Sequence, residues 1–178
     1  MKLTKRFALT TAGLAAGAAL LGATTGYATP SDPAPGPVKA PAALKVPDGN
    51  KLTGVYAARG TQTYTCTDGA WKLLEPAATL ADGRGRTVAL HSRGPVWVST
   101  VDGSAVNAAA IATSPKTGTI PELLLQATAT RGTGVFGGVS YIQRLNTTGG
   151  VVPAGACTGT DQVGVQYTAT YAFYKPAK

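Results

Sequence analysis

Residues that commonly carry acid–base and metal chemistry are scarce in this sequence. Its 178 residues include one histidine, His91, and eight acidic residues, of which only Glu75 and Glu122 are glutamates. A zinc site usually needs several histidine or cysteine ligands, and a glycosidase needs two facing carboxylates. The composition therefore predicts no metal site and no cofactor, and it disfavours glycoside hydrolysis.

Long apolar runs and clustered basic residues are also missing from most of the chain. Beyond the N-terminal region there is no run of about eighteen apolar residues, the length that suggests a membrane-spanning helix. The formal net charge is +8, but no block of like charges occurs, whereas nucleic-acid-binding proteins usually carry a clustered basic stripe. We therefore expect no membrane span in the mature chain and no nucleic-acid partner.

Cysteine occurs only twice, at Cys66 and Cys157. The chain has no C-x-x-C motif, which disfavours a redox or metal-binding role for these residues. An even pair of cysteines in an exported protein is typical of a structural disulfide. We predict a Cys66–Cys157 bridge on that basis, and the sequence leaves open whether the bridge forms.

The N-terminus has the pattern of a secretory signal peptide. Lys2, Lys5 and Arg6 precede an uncharged stretch that is rich in alanine, leucine and glycine and ends near residue 23. Small residues at and before Ala28 suit signal peptidase, so we predict cleavage after Ala28. The resulting expectation is a signal peptide over residues 1–28 and a secreted protein, either extracellular or associated with the cell wall.

A proline-rich segment comes next and separates the predicted signal peptide from the rest of the chain. Proline has no backbone N–H and cannot continue a helix or a sheet ladder, so residues 29–44 are expected to form an extended leader. The last part of this leader, near the sequence "LKVP", could dock on the fold. We place a single β domain at residues 45–178, a size typical of one domain.

Turn signals and short apolar runs alternate through that domain. Asp-Gly pairs occur at residues 48–49, 68–69, 82–83 and 102–103, and Asp-Gly between apolar runs favours a β-hairpin. Near the C-terminus, Val165, Tyr167, Ala169, Tyr171 and Phe173 share one face of a predicted strand. The pattern predicts an all-β fold: an antiparallel β-sandwich is preferred, with a small closed β-barrel as the alternative. The segment "IPELLLQA" could form a helical turn or a buried strand.

The sequence "GTGVFG" at residues 132–137 matches the G-x-G-x-x-G pattern of dinucleotide-binding loops. That fingerprint must open a helix and be followed about twenty residues later by an acidic residue. Here the next segment, "GVSYIQRLN", is typical of a strand, and the next acidic residue is Asp161. We interpret the motif as a glycine-rich turn, and we do not expect an NAD-dependent dehydrogenase.

Four residues are candidates for ligand contact: His91, Trp97, Arg144 and Asn146. Aromatic faces on a β domain can stack on flat ligands, although most such residues form the core. A lone histidine could also act as a general base, with Asp102 orienting it and Ser92, Ser99 or Ser104 as nucleophile. No G-x-S-x-G motif singles out any of these serines, so we assign no catalytic residue; His91 and Asp102 are the pair that an enzyme would use.

Several ordered segments resemble a known family, the domain of unknown function 3455 family of exported bacterial and fungal proteins. They are "YTCTDGAW", "PAATLAD", "HSRGPVWVSTVDGSAV", "IPELLLQA", "GTGVFGGVSYIQRLNTTGG" and "YTATYAFY", and they span about residues 45–175. The resemblance implies no established activity, and nothing in the sequence supports the malate dehydrogenase label that some fungal members carry.

The resemblance also draws attention to particular positions. Two sequence elements of the family pattern fall on this chain at His91 to Ser104 and at Ile142 to Gly150. Two positions depart from the family pattern: Glu122 replaces an aromatic residue after Ile-Pro, and Gln166 replaces a proline. If that aromatic residue lined a ligand site in relatives, Glu122 would change the site here.

Together these observations predict a secreted, non-catalytic binding module for a cell-envelope or extracellular ligand. A polysaccharide and a surface protein are the two classes of partner considered. A cell-surface interaction or structural protein is the first alternative, and a secreted hydrolase using His91 is the second. The alternatives differ in whether the protein releases soluble products and whether substitution of His91 abolishes that release.

Overall fold

A computed structural model describes residues 36–177 of the chain. The predicted signal peptide and the first part of the proline-rich leader therefore lie outside the described residues. The described part contains eight β-strands and one short 3-10 helix, η1. The strands are β1 (Asn50–Thr67), β2 (Ala70–Ala81), β3 (Thr87–Ser92), β4 (Val96–Ser99), β5 (Ala105–Ser114), β6 (Glu122–Arg131), β7 (Tyr141–Gly149) and β8 (Gln162–Pro176).

All strands pair antiparallel with their neighbours in the sequence, and the last strand pairs with the first. The β1–β8 pairing runs from Asn50 opposite Pro176 to Thr65 opposite Gln162. The all-β antiparallel prediction is confirmed. The architecture is the closed barrel that we considered as the alternative, and the preferred sandwich was wrong. The long β1–β8 pairing joins the two ends of the sheet and leaves no open edge.

The barrel core follows from the alternation of side chains along each strand. On β8, Tyr167, Ala169, Tyr171 and Phe173 point inward and are buried, as the sequence pattern predicts. The segment "IPELLLQA" forms the start of β6 and contributes Leu125 to this core, so it is a strand rather than a helical turn.

The end of the leader packs on the outside of the barrel. Helix η1 (Ala42–Leu44) carries Leu44, which is completely buried against Leu124 and Leu145. The side-chain amide of Gln143 donates a hydrogen bond to the backbone oxygen of Leu44 at 2.6 Å. This packing explains why Leu124 and Leu145, on the outer faces of β6 and β7, are buried. Within residues 36–177, no helix has the length and apolarity needed to cross a membrane.

The predicted disulfide is confirmed: Cys66 at the end of β1 is bonded to Cys157. The two residues are 91 positions apart, and both are buried. The bridge therefore fastens the long β7–β8 connection to the β1–β2 hairpin.

Candidate functional site

One end of the barrel contains a cavity of about 490 Å³. The hairpin between β3 and β4 lies at its rim, where the Gly94–Pro95 peptide bond is cis. Apolar side chains form much of the wall, and a few polar groups converge on it. The lining residues are Gln62, Tyr64, Leu73, Leu74, Glu75, Pro76, His91, Arg93, Gly94, Pro95, Trp97, Ala110, Ile120, Pro121, Leu123, Leu125, Arg144 and Tyr171.

Three aromatic side chains in mutual contact form the inner part of this wall. His91 on β3 lies directly opposite Trp97 on β4, so the two side chains leave the sheet on the same face. Their rings are nearly parallel, with centroids 4.3 Å apart, and Tyr171 meets both rings edge-on at 5.3 Å. Trp97 therefore points into the barrel, and Val96 and Val98 are only partly buried on the other face.

Burial sets the protonation state of His91. Its side chain is 3% exposed, and Nδ1 lies 3.0 Å from the backbone oxygen of Val96. Because a carbonyl oxygen can only accept, Nδ1 carries the proton in the neutral ring and donates it to Val96. The pKa of His91 is lowered to about 4, mainly by burial; the hydrogen bond to Val96 opposes this lowering, and the positive charge of Arg144 adds to it. Neutral His91 therefore presents Nε2 as a hydrogen-bond acceptor.

Two residues that line the cavity each carry a buried polar atom with no hydrogen-bond partner among the described residues. The atoms are the indole Nε1 of Trp97 and the side-chain oxygen of Gln62. A buried polar atom left unpaired costs about 1–3 kcal/mol, so most such atoms in proteins are satisfied. The hydroxyl of Tyr167, a buried core residue, has no hydrogen bond of good geometry among the described residues, although it interacts with the hydroxyl of Tyr171, and burial raises its pKa.

Arg144 brings a positive charge to the same wall. Its position on β7 shares the inward face with Ile142, which belongs to the barrel core. The guanidinium donates two hydrogen bonds, from Nε and Nη2, to the backbone oxygen of Pro121 at 3.1 and 2.9 Å. This charge also influences Tyr64 and Tyr171, although burial dominates and raises the pKa of both hydroxyls.

Asn146, the fourth predicted ligand residue, does not line the cavity. Simple alternation would place it beside Arg144, but the β7–β8 register shifts between Leu145 and Thr148. Asn146 has a positive φ of 50° and is exposed, and its side-chain amide donates to the hydroxyl of Thr170. The bulge thus turns Asn146 away from the interior.

Asp102 and His91 are not brought together. Asp102 lies in the turn that joins β4 to β5, at the opposite end of β4 from the cavity hairpin. Its carboxylate accepts hydrogen bonds from the Ser104 hydroxyl and from the backbone N–H groups of Ser104 and Val135, which lower its pKa to about 2. The arrangement stabilises a turn.

Of the three candidate nucleophiles, two have hydroxyls engaged in hydrogen bonds and the third faces away from the barrel interior. The Ser99 hydroxyl oxygen accepts hydrogen bonds from two backbone N–H groups of the same turn, those of Val101 and Asp102. The Ser104 hydroxyl donates to Asp102 and accepts from the backbone of Phe136. Ser92 is exposed on the outer face of β3.

The G-x-G-x-x-G segment is a loop between β6 and β7, with no helix after it. A side chain at Gly134 would overlap the carboxylate of Asp102. Glycine is therefore required there by the close approach of two turns. The loop delivers the fully buried Phe136 to the core, and this is the glycine-rich turn predicted from the sequence.

Sequence reasoning missed Gln62, Tyr64 and Tyr171 as wall residues. A signal for the first two was present: Gln62 and Tyr64 precede Cys66 by four and two positions. A buried disulfide cysteine in an alternating strand places both residues on the buried face. Among residues 36–177, no group of histidine, cysteine and acidic side chains is arranged to hold a metal ion.

The fold and site define a closed antiparallel β-barrel with an aromatic-lined cavity at one end. A family model described as a protein of unknown function (DUF3455) matches residues 47–175. The chain therefore belongs to this family, as the sequence resemblance predicted. No curated protein and no solved structure gives a significant match to the chain.

Proposed function

We propose that this protein is a secreted, non-catalytic binding module that holds an extracellular or cell-envelope ligand in its barrel-end cavity. The observation that carries the proposal is the pair of unpartnered polar atoms, Trp97 Nε1 and Gln62 Oε1, which belong to two residues that line that cavity. A ligand that pairs with them would remove the free-energy cost of leaving them unpaired. Ligand pockets of about 300–1,000 Å³, mostly apolar with a few convergent polar groups, are typical of small-molecule sites.

The cavity favours a compact ligand or the end of a larger one. Trp97 is only 1% exposed, and its ring is packed between His91 and neighbouring aromatic residues. A polysaccharide chain lying along the outer surface could not stack on it. A polymer would therefore have to insert a terminal group.

The proposed extracellular location rests on the N-terminal pattern of residues 1–28 and on the disulfide. Disulfides persist in oxidising compartments and are rare in the cytosol. The hydrolase alternative has less support, because Asp102 does not reach His91 and the ring is fixed by a backbone oxygen. A protein-interaction role is an outcome of the experiment below.

The experiment uses the only two tryptophans, Trp71 and Trp97. In a Trp71→Phe variant, all indole fluorescence comes from Trp97, so a ligand in the cavity changes it directly. We would add soluble fragments of peptidoglycan, chitin and cellulose, and in parallel measure depletion of the protein by the insoluble polymers. We expect a saturable fluorescence change and no released product.

Trp97→Phe is the test variant and Trp71→Phe its matched control. Binding should weaken in the first and persist in the second, because only Trp97 lines the cavity. If the Trp97→Phe variant is retained on the insoluble polymers as well as the parent protein is, the proposal is contradicted. The search would then turn to a protein partner. Soluble fragments whose release disappears in His91→Ala would show an enzyme instead.

A further inference from the structure

We propose that the cavity ligand is a small organic carboxylate with an apolar body, and that Arg144 receives the carboxylate. This inference rests on the proposed binding function and adds the chemical class of the ligand. The observations behind it are the charge on the cavity wall, the hydrogen-bond donors of Arg144 and Trp97, and the apolar side chains that line the same cavity.

The charge argument starts from Arg144, which is partly buried and lacks an acidic partner within the described residues. Two of its five N–H donors are used by the backbone oxygen of Pro121. The guanidinium also interacts with the Tyr171 hydroxyl, and the planar arrangement of the donors that are left matches a carboxylate. The backbone bonds also fix the guanidinium in place, so little conformational entropy is lost when an anion binds.

The remaining ionisable groups on the wall do not neutralise this charge. Glu75 is the only acidic residue that lines the cavity, whereas two arginines, Arg93 and Arg144, line it. His91 is neutral near pH 7 because burial lowers its pKa to about 4. The wall therefore carries a net positive charge, and low-polarity surroundings strengthen the attraction of an anion.

The polar and apolar groups of the wall agree with this assignment. Trp97 Nε1–H is a donor without a partner, and an indole N–H can pair only with a hydrogen-bond acceptor. Leu123, Leu125 and Ile120 provide apolar contacts beside it. An aryl or alkyl carboxylate offers an acceptor to Arg144 and Trp97 and an apolar body to these side chains. The acceptors Gln62 Oε1 and His91 Nε2 can pair only with a donor elsewhere on the ligand body.

The test compares 3-phenylpropionate with its primary amide, which has nearly the same shape and no charge. In 15N-labelled Trp71→Phe protein, the only indole N–H resonance belongs to Trp97 and reports occupation of the cavity. We expect the carboxylate to bind at least about tenfold more tightly than the amide, because charge-assisted hydrogen bonds are roughly twice as strong as neutral ones. The bound anion should also raise the pKa of His91, measured from its ring proton shifts.

Arg144→Gln should remove the preference for the carboxylate, and Arg144→Lys should retain most of it. Arg131→Gln is the matched control, because Arg131 is an exposed arginine at the other end of the barrel, bonded to the backbone of Gly103. If Arg144→Gln does not fold, the lysine variant and the acid–amide comparison in the parent protein decide the question.

Each outcome separates this inference from the proposed function. Equal binding of acid and amide, or a preference that survives Arg144→Gln, would overturn the anion assignment and leave the binding function standing. No movement of the Trp97 resonance with either probe would overturn the assignment, and the polymer-fragment titration would then decide the binding function by itself.

Discussion

At the scale of single residues, His91 shows how burial converts a reactive side chain into a fixed neutral acceptor. The ring is stacked on Trp97, and its Nδ1 proton is donated to the backbone oxygen of Val96. A general base in a hydrolase needs an orienting partner and a nucleophile within reach, and the carboxylate of Asp102 serves a distant turn instead. His91 is therefore a neutral, hydrogen-bonded ring on the cavity wall.

The same burial predicts a pH-dependent stability. The folded-state pKa of about 4 is below the usual value of 6.5, so the unfolded state binds the proton more strongly. The free energy of unfolding should therefore fall as the pH is lowered from 6.5 to 4, by an amount on the order of 3 kcal/mol. Urea unfolding at a series of pH values measures this slope, and His91→Gln should remove most of it.

Asp102 provides a comparison in a different pH window. Its pKa is lowered to about 2 from 3.8, so the stability that it contributes is lost only as the pH falls below about 3.8. Asp102→Asn should leave the slope between pH 6.5 and 4 intact. A His91→Gln variant that keeps the full slope in that window would show that other groups are responsible.

Residue types in the sequence predicted part of the site. The residue types name His91, Trp97 and Arg144 as candidates for ligand contact, and the structure places all three on one cavity wall. Asn146 was grouped with them but faces away, because a bulge breaks the alternation of β7. Such a bulge depends on pairing with β8, which a local pattern does not reveal.

At the scale of secondary-structure elements, the end of the leader behaves as part of the fold. Leu44, the last residue of η1, is fully buried against Leu124 and Leu145. Composition alone marks residues 29–44 as extended, since proline prevents regular hydrogen bonding. Composition does not show that this segment buries Leu124 and Leu145 on the outer face of β6 and β7.

Leu44→Ala should therefore destabilise the protein by about 2–5 kcal/mol, the range for removing a buried leucine side chain. Leu90→Ala is the matched control: Leu90 lies on the outward face of β3 and is 50% exposed, so a change within about 0.5 kcal/mol is expected. Urea unfolding measures both. Equal effects of the two substitutions would mean that the leader does not stabilise the barrel.

At the scale of the whole molecule, the closing pair of strands defines the architecture. Fifteen-residue strand β8 pairs along almost the whole of eighteen-residue strand β1. Sandwiches and barrels share the same hairpins and the same alternation, so neither the Asp-Gly turns nor the apolar pattern distinguishes them. The pairing of the first strand with the last is the difference, and it is a long-range contact.

The disulfide acts at this scale because it links positions 91 residues apart. Closing a loop of that length reduces the entropy of the unfolded chain, which corresponds to about 4–5 kcal/mol of stability in the chain-entropy model. A Cys66→Ala, Cys157→Ala double variant should lose stability of that order in urea unfolding. The reduced parent protein should match the variant, and an unchanged free energy of unfolding would contradict the entropic account.

Patterns and counts in the sequence were enough to predict the all-β class, the turns, the disulfide and the family. These features follow from alternation, Asp-Gly pairs, two cysteines and short ordered motifs, each readable from neighbouring residues. Closure of the barrel, the cavity and the unpartnered atoms of Trp97 and Gln62 depend on contacts between residues far apart in the chain. Such contacts form only when the strands pair, because each side chain's neighbours are then set by register rather than by sequence position.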